Sequence, residues 1–591
     1  MKKNIVIFII FSLFVCAAFP QVSVNPNEEF YSDAAGWYLK GYVERLPQIK
    51  PYPVAVIEEI LIDVIKKGEP SEQAKAEFYY EKYFAKEWHV SLDSSAYARI
   101  YSIADSDAKD VDHYDDALQL SVEPEFSYDF SFGEYFSSGL IVGLRGQSSY
   151  VNSSEVLPKF TYNSELDVIA PFEFNAGSID FLLDVNGNFT VGSKDVYATV
   201  GFTPLGYGLF PDDDIILSPD GNQILHGSFN YEGKYFQYAQ IFGVVGAMNK
   251  SFLEADDYSF SKFFAFHSTN VPLFNGKLNL SYFEGAVFGN GFQPAMLTPV
   301  PWAIVSLADG RSETVYAGLK VEVKPVPCFS WNTEFLLNDL KPKNFIKLKW
   351  NDAAIRGAFK TGFVYSPLDS IASLITVDYT MVTPEIYSCY DSFDDDYNYR
   401  DYSNFGTSIG SNLLPNSDRV SVKINFKPSK NLKITTTTLY SRHGNSYEDL
   451  DYDEIVKLNG SQYSYSSIGQ NSNGFESLTS QTNFLMQDDL MYSMQAGLDI
   501  QYTLFSKKSS NITFSVGYTF EFIQNDGVDQ AIYPGDYSNY KTYLDIINSE
   551  TATDAQKQDA KSKFDSIKEA WKDRLHDSYN HYFRAGVKIN F

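Results

Sequence analysis

Cysteine is scarce: Cys16, Cys328 and Cys389 are the only three in 591 residues, too few for a disulfide scaffold. Cations are also in deficit, with 47 Lys and Arg against 75 Asp and Glu and a formal charge of −28. Phosphate binding needs clustered Lys and Arg, so nucleic acid is excluded as a partner. Beyond the N-terminus no apolar run reaches the roughly 20 residues that a spanning helix requires. Seven histidines, His89, His113, His226, His267, His443, His576 and His581, include no i, i+4 pair. No helical zinc site is indicated, and neither a metal nor a cofactor is expected.

What is present begins with Lys2 and Lys3 ahead of the apolar run Ile5 to Ala18, ending in the small residues Ala17 and Ala18. This is the pattern of a secretory signal peptide over residues 1–20, and its removal makes the chain more acidic still. Phe14 and Val15 are bulkier than the small residues a lipidation site wants before its cysteine, which argues against a lipid anchor on Cys16. Export would leave Cys328 and Cys389, which the topology below puts at opposite ends of the fold and therefore unpaired. The chain carries 43 Tyr and 47 Phe at a mean hydropathy of only −0.24. So many aromatics without a spanning helix imply an apolar face hidden in alternation, which a closed membrane barrel provides.

Residues 21–88 read as a small helical module on the periplasmic side. Apolar positions recur at helical spacing at Ala35, Tyr38, Leu39, Tyr42, Val43 and Leu46, then at Val56, Ile57, Ile60, Leu61, Val64 and Ile65. A third helix is expected from Ser71 to Trp88, with breaks at Pro47, Pro51, Pro53 and the turn Gly68 to Pro70. Packing, without chemistry, is the expected role.

From about His89 the period becomes two, as in Phe583, Ala585, Val587, Ile589 and Phe591 against Tyr582, Arg584, Gly586, Lys588 and Asn590. The expected fold is all-β: a large antiparallel outer-membrane barrel over 89–591, with roughly 16 to 18 strands. Tight turns at Asn275-Gly276, Lys324 to Pro327, Pro367 to Ser370, Pro428 to Asn431 and Ser506 to Ser510 belong to the periplasmic end. The long segments Gly289 to Ser312, Cys389 to Phe405, His443 to Gln487 and Gln524 to Asp577 belong outside. Arg584, Gly586, Ile589 and Phe591 resemble the C-terminal signal read by the barrel-assembly machinery, so that machinery and outer-membrane lipid are expected partners.

Two outer segments interleave aromatics with carboxylates. One holds Asp394, Asp395, Asp396, Tyr397 and Tyr399; the other holds Tyr447, Asp451 and Tyr452. An aromatic ring covers the apolar face of a pyranose while carboxylates accept its hydroxyl hydrogens, so these are candidate sugar ligands. Neither has the spacing or the turn glycine of an EF-hand loop. Gly406 to Gly410 matches G-x-S-x-G, but a nucleophile elbow needs a strand before it and a helix after it, and this stretch continues extended. No enzyme is expected. Thr553 with Gln556 forms a capping box ahead of Phe564, Ile567, Trp571 and Leu575, which predicts an amphipathic helix in the last outer loop, folded over the mouth.

The blocks FSKFFAFHSTN, LNLSYFEGAVFG, TPEIYS, NFGTSIGSNLLPNSDRV and FYSDAAGWYLKGYVERLPQIKPYPVAVIEEIL, in that spacing, resemble the Wzi-type capsule-assembly outer-membrane barrels. The resemblance implies a surface lectin that holds or assembles extracellular polysaccharide. It places His267 and Glu284 on adjacent strands and Pro415 to Asp418 where an outer strand begins. Ser268 and Asn338 depart from the family pattern, which has a basic residue and an aspartate there. Two functions stay open: a non-enzymatic polysaccharide-binding or capsule-assembly barrel, and a porin or substrate-specific channel. Lumen-facing Lys320, Glu322, Glu521, Arg584 and Lys588 suit either.

Overall fold

The structure is a computed structural model. It describes residues 23–591 apart from 85–87, 104–115, 134, 149–152, 162–172, 211–212, 249–257, 290, 303–313, 340–342, 344–345, 351–354, 385, 388–396, 398, 446–483, 508–509, 531–541, 544, 548 and 550. The signal peptide expected over residues 1–20 therefore lies outside the described residues, as does Cys389.

Eighteen antiparallel strands close into one barrel. In chain order they are β1 Trp88–Ile103, β2 Ala117–Phe132, β3 Phe136–Ser148, β4 Ile179–Ser193, β5 Val196–Thr203 and β6 Ile224–Glu232. Next come β7 Gln237–Met248, β8 Tyr258–Leu273, β9 Leu278–Phe288, β10 Thr314–Val323, β11 Phe329–Asp339 and β12 Arg356–Tyr365. The last six are β13 Ala372–Val382, β14 Ser417–Ser429, β15 Leu432–Gly444, β16 Leu490–Lys507, β17 Ser510–Asp526 and β18 His576–Asn590. A short piece, Glu173–Asn175, adds to the edge of β4. Closure pairs β18 with β1, in a register that sets Leu92 against Ile589 and Ala96 against Ala585. Phe591 continues this edge by donating its N–H to the Val90 carbonyl at 2.9 Å.

Alternation decides which way each side chain points. On β2, Leu118 and Leu120 are 54% and 52% exposed while Gln119 between them is buried. A sheet with an apolar outer face and a polar inner one is stable only where hydrocarbon is the outer solvent. Tight turns gather at one end and long connections at the other, as the sequence pattern predicts.

The helical module sits at the short-turn end. α1 (Glu29–Lys40), α2 (Val54–Lys67) and α3 (Pro70–Phe84) share a core of Phe30, Trp37, Ile57, Leu61, Val64 and Tyr79. The apolar spacing that runs on to Leu46 does not extend the first helix. Gly41 adopts φ 80°, and its N–H turns back to the Trp37 and Tyr38 carbonyls, ending α1. The third helix stops at Phe84, and the wall begins at Trp88 rather than at His89. Docking uses ion pairs: Arg45 with Asp195 at 2.5 Å, Lys194 with Glu59 at 2.5 Å, and Lys427 with both Glu29 and Asp33. Burial opposes ionisation of Asp33, but Lys427, Lys75 and a hydrogen bond from Tyr79 outweigh it and hold the carboxyl well below the usual carboxylate range. Glu29 is lowered in the same way against burial, mainly by Lys427. Cys328 has a free, buried thiol in the β10 to β11 turn.

Candidate functional site

The lumen has two unlike halves. On β7 to β13 its wall carries large apolar residues, including Ile241, Phe264, Phe266, Phe283, Tyr316 and Leu336. Two long connections fold down onto them. Residues 204–223 bring Gly206 and Tyr207 into a two-residue ladder with Ile49 and Lys50 of the module. The β13 to β14 connection interlocks with that loop: Tyr387 and Tyr402 donate their hydroxyls to the Ile215 and Ile216 carbonyls at 2.6 and 2.8 Å. Asp213 ties the loops to the wall through Arg419 at 2.7 Å and the Ser411 hydroxyl at 2.9 Å. Lys262, fully buried, donates to the Ser403 carbonyl at 2.8 Å and its hydroxyl at 3.0 Å. This half of the barrel is a protein core.

The Gly406 to Gly410 stretch lies in this seal. Ser403–Asn404 and Thr407–Ser408 form a minimal hairpin, not a strand followed by a helix, so the nucleophile-elbow geometry is absent.

Above the seal, at the long-loop end, aromatic rings form a ledge. Phe260 is 68% exposed and meets Phe405 edge-on at 5.3 Å. Tyr397 and Tyr399 lie 5.8 Å apart, and the Tyr399 hydroxyl reaches the Ser259 hydroxyl at 3.3 Å. Of the expected sugar ligands, Tyr397 and Tyr399 therefore stand on this ledge. Asp394, Asp395, Asp396, Tyr447, Asp451 and Tyr452 lie outside the described residues. The last outer helix, α4 (Asp554–Lys572), has its full capping box at Thr553 and Gln556, and it buries Phe564 and Trp571. Trp571 Nε1 donates to the Gly527 carbonyl at 3.3 Å, and Lys572 pairs with Asp489 at 2.9 Å, which fixes the helix over the β16 to β18 rim.

His267 and Glu284 are cross-strand partners on β8 and β9, with Nε2 to carboxylate at 2.8 Å. Their direction was not legible in the sequence. Lys262, Phe264, Phe266 and Ser268 on β8 touch lumen segments, so His267, of opposite parity, points out of the barrel. A strap from the β9 to β10 connection covers the pair there. Trp302 packs over His267 with ring centroids 4.1 Å apart and planes tilted by 34°, and its backbone N–H donates to Glu284 at 2.6 Å. The Tyr282 hydroxyl donates to the same carboxylate at 2.6 Å, and outward Gln240 donates to the Met296 carbonyl at 3.1 Å. Irregular backbone against hydrocarbon leaves donors that lipid cannot satisfy. In the strap Pro294, Pro299 and Pro301 carry no N–H, and wall residues bind part of what remains. The polar wall residues thus serve the strap.

Asp418 also points outward, taking Arg442 at 2.6 Å and the Tyr379 hydroxyl at 3.0 Å where β14 starts. Pro415 is buried just before that start, beside Asn416 at φ 61°.

The architecture has a known counterpart. The chain is similar to Wzi. That structure, of an outer membrane protein involved in group 1 capsule assembly in Escherichia coli and a carbohydrate-binding β-barrel, aligns at 11% identity and a TM-score of 0.50. The alignment covers 97% of this chain and 99% of Wzi. Acinetobacter baumannii OccAB3 aligns at 9% identity and a TM-score of 0.38, over 85% of this chain and 100% of its own. A BenF-like porin from Pseudomonas fluorescens Pf-5 aligns at 8% identity and a TM-score of 0.38, over 84% and 97%. No protein-family model matches the chain, and no curated protein does. At such identities the likeness to Wzi shows the fold alone: the chain is an outer-membrane-type β-barrel.

The other half of the lumen, on β14 to β18 and β1, is built differently. Many of its inward positions are small or hydroxylic, among them Thr435, Thr437, Gly497, Ser515, Gly517 and Gly586, with charged side chains between them. Here the wall touches the module through Lys427, and beside that contact two cavities of about 510 and 480 Å³ remain. No cluster of three potential metal ligands occurs among the described residues.

Proposed function

We propose that this protein is a non-enzymatic outer-membrane barrel that binds polysaccharide at its outer surface, with its helical module in the periplasm. The observation that carries the reading is the aromatic ledge of Phe260, Tyr397, Tyr399 and Phe405, seated on a loop core that fills half of the lumen. An aromatic ledge on a rigid base is pre-organised to stack on sugar rings, and a sealed lumen beneath it turns the barrel into a platform. The carbohydrate binding of Wzi, which shares the fold, supports the same reading. The acidic and aromatic segments around Asp394 to Asp396 and Tyr447 to Tyr452 are proposed to add hydroxyl acceptors to it. With a net charge of −28, neutral glycans are the expected ligands, and acidic ones need bridging divalent cations.

Binding of the purified barrel to immobilised polysaccharides tests the proposal. One aromatic stack is worth about 0.5 to 1.5 kcal/mol, so Tyr399→Ala and Phe260→Ala should each weaken binding about 2- to 12-fold. A barrel that binds no polysaccharide, with or without calcium, refutes it.

A further inference from the structure

The two cavities of the polar half are neighbours. They share Asn25, Glu28, Glu29, Lys433, Gln501 and Arg584 in their linings, so together they run along one side of the module. The first begins at the short-turn rim, beside Lys430 and Asn431. The second ends at Val156, Leu157, Pro158 and Thr161, part of the β3 to β4 connection folded into the lumen. That segment is pinned from three directions. The Lys159 N–H donates to Glu521 at 3.1 Å, its carbonyl accepts from Gln495 at 2.8 Å, and its ammonium pairs with Asp529 at 2.5 Å and Asp526 at 3.5 Å.

The charge of this space is opposite to that of the chain. Outside the module its lining carries Lys423, Lys427, Lys430, Lys433, Arg584 and Lys588 against Asp93, Asp220 and Asp499, and Lys588 also faces Glu125 at 3.6 Å. On the module side Glu28 is matched by Lys82 at 3.2 Å, and Glu29 and Asp33 by Lys427. In the stretch common to both cavities Lys433 and Arg584 stand on the barrel wall, with Arg584 set 5.5 Å over the Tyr97 ring. Cations in a low-dielectric passage raise the local concentration of anions and repel other cations. Glycine and hydroxyl positions beside them leave room and hydrogen bonds for a hydrated or hydroxylated solute.

We propose that this half of the lumen is a side passage for small anionic solutes of the size of a monosaccharide carboxylate, held shut at the long-loop end by the Ser153 to Thr161 segment. The passage is separate from the outer ledge, so it stands or falls independently of polysaccharide binding.

The test is planar-bilayer recording of the full-length barrel in a potassium chloride gradient, then with gluconate replacing chloride. Replacing residues 153–161 by a short Gly-Ser linker should raise conductance several-fold over the wild type. The reversal potential of this open form should report anion preference, and gluconate should still carry current. Lys433→Glu in the same background should move the reversal potential toward cation selectivity. Heat-modifiable gel migration, measured on each variant, shows that the barrel has folded. Folded linker variants that stay silent overturn the passage, and an unchanged reversal potential in Lys433→Glu overturns its selectivity.

Discussion

Glu284 gives the sharpest energetic test, because it accepts three hydrogen bonds on the outer wall of the barrel. Its partners are the Trp302 backbone N–H at 2.6 Å, the Tyr282 hydroxyl at 2.6 Å and His267 Nε2 at 2.8 Å. Glu284→Ala removes the acceptor and leaves all three without it, in a site where Glu284 is fully buried and water cannot substitute. Each unsatisfied buried group costs about 1 to 3 kcal/mol, which sets an expected loss of about 3 to 9 kcal/mol, nearer the lower figure if the strap lifts and rehydrates. Total stabilities of about 5 to 15 kcal/mol make such a loss easy to detect. Glu284→Gln keeps one carbonyl acceptor and should cost about 1 to 3 kcal/mol, the worth of a charge-assisted bond. Urea unfolding in detergent micelles, followed by loss of heat-modifiable migration, measures both. If Glu284→Ala unfolds at the same urea concentration as Glu284→Gln, the carboxylate does not hold the strap and the argument is wrong.

Three further outcomes follow from the same geometry. Docking of the module should be constant from pH 6 to 8 and weaken as the pH falls below about 4: carboxylates such as Asp33 and Glu29, with folded pKa values below the unfolded ones, stabilise above the unfolded value and lose that contribution on protonation. Limited proteolysis of α1 to α3 across pH reads this, and release at neutral pH would contradict it. Deleting Tyr582 to Phe591 removes most of β18, the closing strand, and leaves open edges whose backbone groups each cost several kcal/mol in hydrocarbon; the truncated chain should be degraded before it folds in the membrane, as fractionation would show. In a Cys389→Ser background Cys328 should resist maleimide until the barrel is denatured, since it is 6% exposed; labelling of the folded protein would displace it from the buried turn.

The barrel, its strand alternation and the sides of its turns were legible because the period of two is a local property of each strand. The capping box at Thr553 was legible for the same reason, as it lies within four residues. The candidate site was legible only in part. His267 and Glu284 could be paired, yet nothing local told that they face outward, because the direction of a strand residue depends on which parity the lumen claims. The strap over them was visible only as a run rich in proline. The seal was hidden more deeply: Gly206 and Tyr207 meet Ile49 and Lys50 across about 160 residues of sequence, and two-residue ladders leave no periodicity. The contrast between bulky lumen residues on β7 to β13 and small ones on β14 to β18 is present in the sequence, and comparing inward positions strand by strand could have revealed it.

Hydrogen exchange on the folded barrel tests the central claim, a lumen half filled by interlocked loops, most directly. Backbone amides such as Tyr207, Ser218 and Ile409 donate to carbonyls inside the seal at 2.9 to 3.2 Å. Peptides covering residues 205–218 and 402–413 should therefore exchange as slowly as the strands around them, although both belong to long connections. Exchange of these peptides at the rate of open surface loops would show that the lumen is not sealed, and would contradict the account.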